Sequence, residues 1–105
     1  MENLKLALHA HVSEKIGMNP LFDACINEAV YQIESSSVDG VSYLEHYSPQ
    51  ALFRLALRQF QTLAKTFLEL SESGSRIVWK SVPLWQFQNQ SSVLLSQLSQ
   101  LETRD

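Results

Sequence analysis

A single cysteine, Cys25, stands among the 105 residues. It excludes an internal disulfide and any zinc site built from several thiolates, and such sparing use of cysteine suits a reducing compartment. Charge is scarce too. Eight basic and eleven acidic residues leave a net charge of −3, so the basic excess that nucleic-acid binding draws on is missing. No uncharged apolar run approaches the roughly 20 residues that a membrane span requires. The first residues carry neither a basic stretch leading into an apolar core nor a small-residue cleavage site. A cytoplasmic protein without membrane attachment is the expectation. Gly and Pro, three each, fall where segments should end, and no internal repeat or low-complexity tract is detectable.

What is present is apolar. Hydrophobic residues make up 45% of the chain, with five Phe, two Trp and three Tyr, enough for one core and too little for two. We therefore expect one domain over residues 1–105. Asn19-Pro20 reads as an N-cap followed by proline at the first helical position, where its missing N–H is no loss. A helix to about Ser35 should follow, with Phe22, Ile26, Ala29 and Ile33 on its apolar face. The stretch from Ser35 to Tyr47, with Asp39-Gly40 inside it, reads as a loop or irregular link. Ser48-Pro49 repeats the cap signature, and the longest helix should run from there to the stop at Gly74. Within it Phe53, Ala56, Phe60, Leu63, Phe67 and Leu70 step alternately by three and four along one seam.

Ser75–Val82 holds the densest β-branched and aromatic cluster and fits a short strand or an extended connector. After Pro83 the residues Leu84, Phe87, Ser91, Leu94, Leu98 and Leu101 again alternate steps of three and four. They predict a further helix, continuous or broken near Asn89, packed antiparallel against the long one. The N-terminal stretch LKLALHAHV is harder: apolar residues at every even position favour a strand, while Leu, Ala and Lys favour a helix ending at Gly17. Helix is preferred. His9 and His11 then point about 200° apart and cannot share an ion. The fold class expected is mainly all-α, with about four helices, a long helical hairpin and one short strand around residues 76–82; the alternative is α+β with a small two-stranded element.

Chemistry-bearing patterns are thin. His9, His11 and His46 lack the spacing of a zinc site. Cys25 lies beside an apolar face among Asp23 and Glu28, the setting of an inert thiol. The acids are scattered, and three isolated glycines build no phosphate loop. No catalytic residue, metal or cofactor is assigned, and the protein is not expected to be an enzyme. On the long helix Arg54, Arg58 and Lys65, with Gln61 between, form a basic stripe; a plain solvated face is the commoner fate of such a stripe, and as a contact it suits an acidic protein surface ahead of nucleic acid. Trp79 and Trp85 are candidate partner anchors, with capping of the core the commoner fate of such residues.

The segment Ser81–Leu101 contains no charged residue at all. A free surface helix usually carries Lys, Glu or Arg on its wet side, and protein interfaces deplete Lys and Glu. We therefore expect the side bearing Gln90, Gln97 and Gln100 to lie against another protomer in a homodimer. The function expected is a small regulatory module, an adaptor or inhibitor that occupies a partner protein's functional surface. The alternatives are a secretion-type chaperone for an extended client and a DNA-binding regulator using the basic stripe.

Overall fold

The computed structural model describes residues 2–101; residue 1 and residues 102–105 of the expected domain lie outside it. The chain runs α1 (Glu2–Ile16), α2 (Pro20–Glu34), β1 (Ser37–Val38), β2 (Val41–Ser42), α3 (Tyr43–His46) and α4 (Pro49–Glu72). It continues through β3 (Val78–Trp79), β4 (Val82–Pro83), a single 3-10 turn (Leu84–Phe87) and α5 (Ser91–Ser99). The expected mainly helical class holds, with five α-helices and two small antiparallel hairpins among the described residues. None of the described helices is long and apolar enough to cross a membrane.

The N-terminal stretch is helical. Leu4, Leu8 and Val12, one turn apart, are buried, whereas Leu6 is 63% exposed. The alternation in sequence therefore does not correspond to two faces, because side chains four apart share a helix face. Both caps form as read: Asn19 Oδ1 accepts from the Phe22 N–H at 2.8 Å and Ser48 Oγ from the Ala51 N–H at 3.2 Å, each followed by proline. α4 ends in a Schellman closure, with Gly74 N–H donating to Ser71 C=O and Ser75 N–H to Leu70 C=O.

α4 is the spine. α1 and α2 pack on it, as do the 3-10 turn and α5. Its deepest line is Leu52, Ala56, Phe60, Ala64 and Leu68, all at most 2% exposed. Of the expected seam only Ala56 and Phe60 lie on that line; Phe53, Leu63, Phe67 and Leu70 are half-buried flanks. A helix covered from two directions needs a wide apolar arc, and small Ala56 and Ala64 let neighbouring helices approach its centre. Phe60 meets Phe22 of α2 edge-on, with ring centroids 5.6 Å apart.

The expected helix after Pro83 is broken near Asn89, into the 3-10 turn and α5. Its seam is buried throughout, from Leu84 to Leu101. Ser71 and Ser91 are the buried polar residues beside it, and Ser71 Oγ donates to the Leu84 carbonyl. Gln61 Nε2 reaches the Leu98 carbonyl at 3.4 Å, and Gln88 lies beside Gly74. α5 therefore runs antiparallel to α4, as a much shorter arm.

The loop expected over Ser35–Tyr47 is instead a hairpin and a helical turn, and the Val78–Pro83 hairpin is built the same way. Each has two residues per strand and a two-residue turn with both central φ positive: Asp39 52° and Gly40 79°, Lys80 49° and Ser81 66°. That is the type I′ requirement. Each is closed by the same backbone bond at 2.9 Å, Tyr43 N–H to Ser36 C=O and Leu84 N–H to Ile77 C=O. A single helical turn then leads into the next helix, α4 in the first case and α5 in the second. The chain thus contains a structural repeat around a shared α4. It escapes detection in the sequence because the aligned stretches SVDGVSYLEH and VWKSVPLWQF have little besides Val41 and Val82 in common.

Candidate functional site

α4 and α5 enclose an open groove of about 360 Å³. The antiparallel crossing places half-buried Leu95 and buried Leu98 of α5 on its apolar side, and Arg58, Gln61, Lys65 and Glu69 of α4 on its polar side. Arg58 and Lys65 are exposed, and among the described residues no ion pair involves either. A second hollow of about 220 Å³ lies on the far side of Arg58, against Gln32, Tyr43, Leu55 and Gln59. Arg54 sits one turn before Arg58 and does not line the groove. The stripe read from sequence is therefore divided, with two of its three cations at the α4–α5 cleft.

The wet side of α5 consists of Ser92, Val93, Ser96 and Ser99, all exposed, with Val93 at 58%. Gln90 and Gln100 are exposed at the helix ends and Gln97 is half-buried. No charge falls anywhere along this strip, which borders the groove directly.

The two tryptophans are engaged within the chain. Trp79 stacks on Phe67, with centroids 4.1 Å apart and planes 23° from parallel. Trp85 lies under the Arg76 guanidinium at 4.7 Å. Both are half-buried; Trp79 packs against the core, and each ring holds a cation while presenting an edge to solvent. The sequence does not point to Arg76: a cation nine residues from its ring partner across a hairpin leaves no helical spacing to find. Lys80 at the turn reaches over Trp79, with Nζ 5.8 Å from the ring centroid. It also pairs with Glu28 Oε1 of α2 at 2.9 Å. The Lys80 hydrogen bond, then that from Gln32, holds the Glu28 carboxyl below its ordinary range.

The remaining reactive groups are dispersed. His9 Nε2 lies 3.7 Å from Asp23 Oδ1, His11 packs edge-on against Phe53, and His46 meets Tyr47. Among the described residues no group of three His, Cys, Asp or Glu side chains converges on a metal-sized space. Cys25 is fully buried; burial first, and the Glu28 charge second, push its thiol up to about 12, far from the thiolate that nucleophilic chemistry uses. No known protein family, curated protein or solved structure matches this chain.

Proposed function

We propose that this chain is a small cytoplasmic protein-binding module, an adaptor or inhibitor acting by occupancy rather than catalysis, and that it pairs with a second copy of itself. The observation that carries the reading is the charge-free outer strip of α5. A solvated helix normally keeps Lys and Glu on its wet side, because ions there retain their hydration and oppose aggregation. Serines, glutamines and an exposed Val93 instead make a surface whose covering requires no ion to be desolvated. The serines are short and supply both donors and acceptors, so a partner can approach α5 closely.

The test is capture from the native host with three baits: wild type, Val93→Glu/Ser96→Glu on the strip, and Lys5→Glu on exposed α1 as a control. The expected outcome is a protein retained by wild type and control and lost from the strip variant. Equal retention by all three baits would remove α5 as the contact.

A further inference from the structure

We infer that the groove between α4 and α5 receives an acidic amphipathic helix of a protein partner, carrying carboxylates two turns apart for Arg58 and Lys65. The inference rests on the protein-binding reading and deepens it. Arg58 and Lys65 are seven residues apart, so they stand on one side of α4 about 10.5 Å apart along its axis. Among the described residues nothing across the cleft neutralises them, because α5 supplies Leu95, Leu98 and Ser99 and no charge. The nearest acid in the groove is Glu69, one turn beyond Lys65 at one end. In a chain of net charge −3, two exposed cations with no ion-pair partner among the described residues, beside half-buried Leu95, form a local, oriented positive site.

The spacing selects a helix over an extended peptide. In a strand, about 10.5 Å is close to three residues, and side chains three apart point to opposite faces. In a helix, positions i and i+7 share a face, and positions i+3 and i+4 between them share it too. Leucines there would land on half-buried Leu95, at the rim of buried Leu98, while the carboxylates meet Arg58 and Lys65. Glu69 adds polarity to the site. It repels a third acid and accepts a basic residue near i+11, so the partner should read acid, apolar pair, acid, base along the docked face.

The probe is a labelled 18-residue helical peptide with Glu at i and i+7, Leu at i+3 and i+4, and Lys at i+11, titrated by fluorescence anisotropy. Wild type should bind it, with amide shifts in nuclear magnetic resonance centred on Leu95 and Leu98. Arg58→Glu/Lys65→Glu should weaken binding by about tenfold or more, since two like-charge contacts replace two attractive ones. A peptide with Lys at i and i+7 should then prefer that variant to wild type. Arg58→Gln/Lys65→Gln should fall between, and both pairs sit on exposed positions, so melting curves should match wild type.

Absence of peptide binding, binding indifferent to the double variants, or failure of the charge-swapped peptide to gain would each overturn the inference. So would a 20-base-pair duplex bound more tightly than the peptide through the same two residues. The two readings fail separately: if the host protein is lost from the Val93→Glu/Ser96→Glu bait while the peptide fails, the groove assignment falls and the module stands. If the host protein ignores that bait while the peptide behaves as expected, the module reading through α5 falls and the acidic groove stands.

Discussion

At the scale of single residues, the second hairpin concentrates both strain and restraint. Lys80 and Ser81 hold positive φ values, a region where a side chain costs about 1–2 kcal/mol and glycine is at ease. Ser81→Gly should therefore raise stability by about 0.5–1 kcal/mol, read as an upward shift of the thermal midpoint. Lys80 is held by Glu28, whose carboxyl titrates below its ordinary value of 4.5. A carboxylate with a lowered folded pKa contributes stability that is present above its unfolded pKa and lost as pH falls through the folded one. Wild type should exceed Glu28→Gln in urea melts at pH 7, and the gap should close as the pH falls below the ordinary carboxylate range and the folded Glu28 takes up its proton. A gap that persisted into acid would mean that shape, not charge, ties α2 to the hairpin. This hairpin is also where sequence reading reaches least far: Lys-Ser carries none of the Gly, Asn or Asp signals of a type I′ turn, and two-residue strands are too short to alternate. Asp39-Gly40, by contrast, announces its turn while hiding the strands beside it.

Helices were legible where one face alone is buried. The seam Leu84, Phe87, Ser91, Leu94, Leu98 and Leu101 is buried as spaced, because this arm packs mainly onto α4 and a single stripe suffices. The phase of α4 was less legible: its aromatic residues drew the reading toward Phe53 and Phe67, which the fold uses as flanks. The groove could not be read at all, since it exists only through the pairing of two helices separated in the chain by residues 73–90. α5 offers a direct check on its orientation. Leu98→Ala should cost about 2–5 kcal/mol, through lost burial and a cavity, while Val93→Ala, one and a half turns away on the wet side, should stay within about 0.5 kcal/mol. Denaturant titration of the two variants measures both, and similar losses would mean that α5 is rotated or covered.

For the molecule as a whole, α4 sets the shape. Its 24 residues at about 1.5 Å each span about 36 Å of a longest dimension of 41 Å. The groove and the charge-free strip lie side by side, so a second copy and a foreign helix would compete for adjoining ground. We expect a dimer at micromolar concentration by light scattering coupled to size exclusion. Val93→Glu/Ser96→Glu should shift it to monomer, since a two-fold interface meets each new charge twice. A monomeric wild type across the concentration range would leave the strip to a different protein alone.

The absence of ions from α5 has a consequence for how the chain can be cut. Lys80 stands at a hairpin tip, and the next basic residue in the sequence is Arg104. Trypsin that gains access to the Lys80–Ser81 bond therefore leaves the whole Ser81–Arg104 arm as a single fragment. Because Leu84, Leu94 and Leu98 remain seated against α4, the nicked halves should stay together in native buffer and part only in denaturant. The arm would then be exchangeable: a synthetic replacement carrying a label or an altered strip can be seated on the long fragment without remaking the gene.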